Sequence, residues 1–202
     1  MASLATAPDL AARLNTTFDA GQTAQAEQFL EEASALIRAT TGQTISFVAG
    51  DTFTTEAPNG LWLDLPQRPV RQIGSVLVGD QPVTDVTLVG DRLFRRASWD
   101  NRYVVGSWWP WFPAAFPYTV TIIYDHGYHS ADEGIVLAKS ACLAIASQTV
   151  VNPGGVASEA IDDYRVQFRD NAGTLTMSEA LEKRLVQAYG RGAFTVRPAA
   201  RL

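Results

Sequence analysis

Apolar positions along the chain change rhythm twice, dividing it into a helix-like stretch, a strand-like stretch and a second helix-like stretch. Pro8-Asp9-Leu10-Ala11-Ala12-Arg13-Leu14 reads as a short helix. Pro8 and Asp9 stand near its start, where a missing N–H costs nothing and an acid complements the helix dipole. Gly21 reads as a break. Beyond it Ala26, Phe29, Leu30, Ala33, Leu36, Ile37 and Thr40 recur at three- and four-residue intervals. That spacing predicts a helix over Thr23–Thr40 with one apolar face, Glu27, Glu31 and Glu32 toward the polar side, and Gly42 as its stop.

From Ile45 to Tyr124 helical periodicity disappears, and short β-prone runs are divided by Gly, Pro, Asn and Asp. The runs predict strands at Ile45–Val48, Phe53–Thr55, Leu61–Leu65, Ile73–Val78, Val86–Val89, Arg92–Arg95 and Thr119–Tyr124. Gly79-Asp80-Gln81-Pro82 and Gly90-Asp91 have the residues of hairpin turns.

Helical spacing returns over Asp132–Thr149, with Ser130 or Asp132 as its cap. Ile135, Val136, Ala138, Ala141, Cys142, Ile145 and Ala146 form a broad face of mostly small residues, suited to close packing within one subunit or between subunits. Asn152–Gly155 reads as a loop, Ser158–Ile161 as a turn, Tyr164–Phe168 as a strand and Asn171–Gly173 as another turn. A last helix runs from the N-cap Ser178, with Glu182 near its first turn, to Tyr189, and Gly190 and Gly192 stop it. Ala193–Leu202 forms an extended tail that contains the strand-like patch Phe194-Thr195-Val196. The pattern predicts an α+β fold: a helical core of about four helices, an inserted β-rich subdomain and an extended C-terminal tail. The corresponding segments are 1–44, 45–129, 130–190 and 191–202.

Composition narrows the chemistry. A chain of 202 residues, 47% apolar, can bury a sizeable core without staples. One cysteine excludes an intramolecular disulfide and a cysteine-cluster zinc site. No apolar run approaches the roughly 20 residues that span a bilayer, and Met1–Ala5 lacks the basic start of a signal peptide. The expectation is a soluble intracellular protein with no membrane partner. Net charge is −5, yet Lys183, Arg184, Arg191, Arg197 and Arg201 fall in the last twenty residues with no acid among them. The acidic body argues against a phosphate-neutralising surface, while the basic tail suits nucleic acid or an acidic protein partner.

Catalytic and cofactor signals are weak. There is no phosphate-cradling glycine loop and no Gly-x-Ser-x-Gly turn. His126 and His129, beside Asp125, have the residue types of a metal or hydrolase site, but Gly127 between them speaks for a strand ending in a turn. Cys142 lies on an apolar helix face and reads as a small buried hydrophobe. Asp162-Asp163 reads as a turn feature. No catalytic residue, metal site or cofactor is expected. Trp108-Trp109-Pro110-Trp111-Phe112-Pro113, continuing to Phe116, is too proline-rich for a helix or a central strand. It suits a core lid, a subunit interface, or a platform stacking sugars or single-stranded bases.

Several segments, taken in order, resemble the head-to-tail connector (adaptor) proteins of long-tailed bacteriophages. They are Thr6-Ala7-Pro8-Asp9-Leu10-Ala11-Ala12-Arg13-Leu14, then Ala26-Glu27-Gln28-Phe29-Leu30-Glu31-Glu32-Ala33-Ser34-Ala35-Leu36-Ile37-Arg38, then Tyr124-Asp125-His126-Gly127-Tyr128. Gly155-Val156-Ala157-Ser158-Glu159-Ala160-Ile161-Asp162-Asp163-Tyr164 and Gly173-Thr174-Leu175-Thr176 complete the set.

The resemblance implies a structural virion protein of the neck, assembled in the host bacterial cytoplasm. It implies a homo-oligomeric ring, commonly of twelve subunits, docked beneath the portal protein after genome packaging. Such a ring extends the DNA channel without sequence-specific binding and offers a platform to the next neck protein, the stopper. The helices would form the ring body. The tail, with Arg191, Phe194, Thr195, Val196, Arg197 and Arg201, would bind the portal. The long insertion at 45–129 departs from minimal adaptors, and its Trp108, Trp109, Trp111 and Phe112 stand as a candidate subunit or neck interface. Two other classes remain as alternatives: a carbohydrate- or single-strand-binding module using the Trp-rich loop, and an enzyme built on Asp125, His126 and His129.

Overall fold

The computed structural model describes residues 3–99, 119–151, 158–161, 164–167 and 177–190. The described residues form four helices and antiparallel sheets, an α+β fold. The chain divides into two compact units, 1–43 with 132–202, and 44–131.

The first unit is helical. Helix α1 (Ala7–Leu14) opens with a capping box: the Asp9 N–H donates to the Thr6 side chain while the Thr6 N–H donates to the Asp9 carboxylate. Helix α2 (Ala20–Thr41) begins three residues before the predicted start, and Gly21 sits inside its first turn rather than breaking it. The reason is a second capping box. Gln22 N–H donates to Asp19 Oδ1 at 2.8 Å and Asp19 N–H donates to Gln22 Oε1 at 3.1 Å, fixing the turn that contains the glycine. Gly42 closes α2 in the left-handed conformation that glycine adopts without strain, as its sequence position predicts.

A 3-10 turn, Glu133–Ile135, leads into α3 (Val136–Val151). Helix α4 (Glu179–Tyr189) starts from the Ser178 cap. Ala26, Leu30, Ala33 and Ile37 of α2 are buried, as are Ala138, Ala141, Cys142, Ile145 and Ala146 of α3. The small-residue faces thus pack within one chain, α2 against α3, with α1 on α3 and α4 on α2.

The second unit is β-rich. The expected strand at Phe53–Thr55 lies within a longer one, β1 (Val48–Glu56), which has a bulge between Val48 and Asp51; of the strand expected at Ile45–Val48, only Val48 belongs to it. Gly50, at φ 63°, supplies the conformation that this irregularity requires. Then follow β2 (Trp62–Asp64), β3 (Val70–Val78), β4 (Gln81–Pro82), β5 (Val86–Val89), β6 (Arg92–Arg95) and β7 (Thr119–His126). One sheet has the order β1-β7-β3-β4, the other β2-β6-β5.

Burial alternates strictly along β7, with Val120, Ile122, Tyr124 and His126 facing inward. Leu63 and Leu93 from one sheet and Val76, Val78, Val120, Ile122 and Tyr124 from the other share a core with Leu65 and the fully buried Trp99. The Trp99 Nε1–H donates to the Leu61 carbonyl at 3.1 Å, so its polar atom is satisfied inside that core.

Ser158–Ile161, predicted as a turn, is instead a strand, β8, paired antiparallel with β9 (Tyr164–Gln167). A four-residue run with one strong apolar position carries little strand signal of its own; the pairing supplies it.

Candidate functional site

The residues marked for chemistry meet different partners rather than one another. Asp125 and His126 are neighbours on β7, so their side chains leave opposite faces of the sheet. Asp125 Oδ1 accepts from the Gly50 N–H at 2.7 Å and holds the β1 bulge. His126 is buried, its Nε2 3.0 Å from Asp51 Oδ2, and its Nδ1 has no hydrogen-bond partner among the described residues. His129 lies past the Gly127 corner, its ring stacked on Phe47 at 4.0 Å. Among the described residues no three metal-ligating side chains converge.

Gly127 explains why this segment turns as it does. Its φ is 88°, and a Cβ there would lie 2.4 Å from the Ser46 carbonyl oxygen. The close approach lets the Tyr128 N–H donate to the Ile45 carbonyl at 2.7 Å and the Phe47 N–H donate to the Tyr128 carbonyl at 2.9 Å. Arg71 Nε–H donates to the Gly127 carbonyl at 2.9 Å and its guanidinium lies over the Tyr128 ring. Tyr124 to Tyr128 is a corner that ties two ends of the β unit together.

Cys142 is buried, with the Ser34 hydroxyl 3.3 Å away, and burial pushes its thiol pKa upward. A nucleophilic cysteine needs the opposite shift. Asp162 and Asp163 lie outside the described residues, as do Trp108, Trp109, Trp111, Phe112 and the tail residues Arg191, Phe194, Thr195, Val196, Arg197 and Arg201.

The described surface offers two features that the sequence pattern did not single out. In the β unit, Trp62 is 40% exposed, 4.9 Å from the Phe94 ring and covered on its face by Arg92, which also pairs with Asp64. Within β2, Trp62 adjoins Leu63, which is in the core, and alternation along a strand is the signal that places Trp62 outside; Leu61, before the strand, is exposed as well. In the helical unit, a half-open groove of about 410 Å³ is lined by Ser3, Thr6, Pro8, Glu27, Leu30 and Glu31, among others. No local pattern announces it, because its walls come from the N-terminal segment and from the middle of α2. Among the described residues, no helix is long and apolar enough to cross a membrane.

Among the described residues the architecture is four helices, with an antiparallel β unit between the second and third along the chain. The chain is similar to a chain in the neck of an empty gene transfer agent particle, computed with C6 symmetry. That likeness has a TM-score of 0.56 at 18% identity and covers 95% of this chain and 92% of the other. A chain in the virion of a native gene transfer agent particle matches with a TM-score of 0.52 at 18% identity, covering 96% and 91%. At this identity the likeness shows the fold, shared nearly end to end. No family model and no curated protein matches the sequence.

Proposed function

We propose that this chain is a non-enzymatic structural subunit of a virion neck, acting as a head-to-tail adaptor. The observation that carries the reading is the nearly end-to-end likeness to a chain from the neck of a gene transfer agent particle. The order of adaptor-like segments from Thr6 to Thr176 supports it independently. In this reading segments 1–44 and 130–190 form the body of a homo-oligomeric ring, and 45–129 is an insertion on that body. The ring docks under the portal after genome packaging, extends the DNA channel and presents a platform to the stopper. A neck with six-fold symmetry accommodates six or twelve copies, and twelve is the number the adaptor resemblance favours.

Physical arguments fit the role. A conduit must let DNA slide, and an acidic body limits adhesion of phosphate. The basic tail binds the portal, with Phe194-Thr195-Val196 added as a strand to an exposed sheet edge and Arg191, Arg197 and Arg201 reaching acidic groups. Individually weak tails reach high avidity once a ring matches the portal's symmetry. Trp108, Trp109, Trp111 and Phe112 are assigned to a contact between subunits or with the next neck protein.

The test is cryo-electron imaging of the protein with its cognate portal, beside the protein alone and a variant ending at Gly190. A ring stacked on the portal with the full chain, lost with the truncated one, is the expected result. A protein that stays monomeric beside intact portals would sink the adaptor reading. Normal docking of the truncated chain would sink the tail's role.

A further inference from the structure

The sheet β2-β6-β5 holds its strands in a register that lays out its outer face. Leu63, Leu93 and Leu88 stand opposite one another and turn toward the core. The rows on either side therefore point outward: Trp62, Phe94 and Thr87 in one, Asp64, Arg92 and Val89 in the other. An outward face of an antiparallel sheet is ordinarily polar. The companion sheet follows that rule, setting Thr52, Thr54 and Glu56 opposite Ile123, Thr121 and Thr119. The face of β2-β6-β5 instead exposes Trp62 and Val89, the latter by 49%, beside the Phe94 ring. Tryptophan and arginine are among the residue types that carry most of the energy of protein contacts.

Charge says what fits this face. Its two rows hold one arginine and one carboxylate, Arg92 and Asp64, paired side by side and both about half exposed. The Arg92 guanidinium also lies 5.2 Å from the centre of the Trp62 ring, so the cluster is arranged before any partner arrives. A partner of a single sign, such as nucleic acid, is repelled by one member of the pair whichever sign it brings. A surface with the same two charges, suitably placed, satisfies both. The face itself is such a surface. A two-fold axis running along the strands, between β2 and β6, sets Asp64 of one copy on Arg92 of the other and Trp62 on Phe94, in both directions. Ionic groups then meet ionic groups, and aromatic rings meet aromatic rings.

We propose that the outer face of β2-β6-β5 is a two-fold contact between two copies of this chain. The same residues serve both sides, which makes the contact isologous and closed at two copies. Three strands span only about 15 Å, so the face is smaller than the roughly 800 Å² per partner that a stable complex buries. Association through it is weak and depends on concentration. The pairing does not rest on the neck reading. Copies that all point one way around a ring are not related by such an axis, so under that reading the pair belongs to the protein outside the ring.

The experiment is sedimentation velocity of the full-length protein alone, from about 10 µM to about 1 mM. The expected result is a shift from monomer toward dimer as concentration rises, weakened by salt. Asp64→Arg leaves only cations in the paired positions and Arg92→Asp only carboxylates, so each variant alone should associate about tenfold more weakly. Mixed together, the two should associate again, because each brings the charge that the other lacks. Circular dichroism checks that each variant keeps the native fold. Should a reversal unfold the chain, Trp62→Gln, which leaves the ion pair in place, should show the same tenfold loss. A native protein that stays monomeric throughout would overturn the proposal and leave the face to a different partner, a sugar or another protein. Reversal variants that associate like the native chain, or a mixture that fails to recover, would overturn it too. Growth beyond the dimer would mean a head-to-tail contact and rule out the two-fold one. No portal is present, so each outcome is independent of whether the neck reading holds.

Discussion

Ser34 on α2 and Cys142 on α3 stand 108 residues apart in sequence and 3.3 Å apart in space, Oγ to Sγ, at the buried centre of the helical unit. Ser34 is the hub of that centre. Its hydroxyl donates to the Leu30 carbonyl at 2.6 Å and accepts from the Leu4 N–H at 2.9 Å, so it fastens the N-terminal segment to α2 as well.

Replacing Ser34 by alanine leaves the buried Leu4 N–H without its acceptor. An orphaned buried donor costs about 1–3 kcal/mol. Urea unfolding of Ser34→Ala should show that loss as a lower midpoint with an unchanged slope. An unchanged midpoint would mean that the amide finds another acceptor.

Cys142 should be inert in the native protein and reactive only after unfolding. Burial is the main cause of its raised pKa, so the folded state keeps the thiol protonated where the unfolded chain releases the proton. The sign follows. The stability associated with this group is fully present below the unfolded thiol value, near pH 8.5, and declines as pH rises above it. A disulfide-exchange reagent at pH 8 should modify the denatured chain within minutes and the native one slower by orders of magnitude. Rapid native labelling would contradict the buried geometry.

The pair of Asp9 and Lys139 joins α1 to α3. The hydrogen bond from Lys139 is the first cause of Asp9's lowered pKa, and the side-chain bond from Thr6 the second. A depressed carboxylate contributes stability that is present above the ordinary aspartate range, near pH 4, and is lost as pH falls through the folded value. Lys139→Met should flatten that acid limb and cost under about 1 kcal/mol at neutral pH, since the pair is partly exposed. Thr6→Ala should cost about 1 kcal/mol through loss of the cap. Unfolding curves at pH 3 and pH 7 read both variants: each removes one cause of the lowered pKa, so each should narrow the gap between the two curves.

Gly127→Ala and Gly90→Ala make a paired test of the β unit. Both glycines have positive φ, 88° and 61°, but a Cβ at Gly90 meets open space whereas one at Gly127 meets the Ser46 backbone. Gly90→Ala should cost about 1 kcal/mol, and Gly127→Ala about 2 kcal/mol or more, by opening the corner. Near-ultraviolet circular dichroism, which follows the Trp99 and Tyr124 core, should change for Gly127→Ala alone. Equal behaviour of the two variants would show that the close approach is not the source of the strain.

The sequence by itself determined what is local. The four helices, their caps at Ser178 and Gly42, the strands at Val86–Val89 and Arg92–Arg95 and the alternation that buries Val120, Ile122 and Tyr124 all follow from periodicity and from residues within a turn or two. So did the buried character of Cys142, because an apolar helix face has to meet a core. Tertiary structure decided whatever needs partners far apart in the chain. β1 and β3 take their places on either side of β7, and Ser34 meets Cys142 across 108 residues. Asp125, His126 and His129 look like one cluster in sequence, yet they engage Gly50, Asp51 and Phe47, because the pleat and the Gly127 corner send them apart. The acidic groove exists only where the N-terminal segment lies on α2. Local pattern encodes which face of each element is apolar; the meeting of faces depends on chain closure over many tens of residues, which no window of sequence contains.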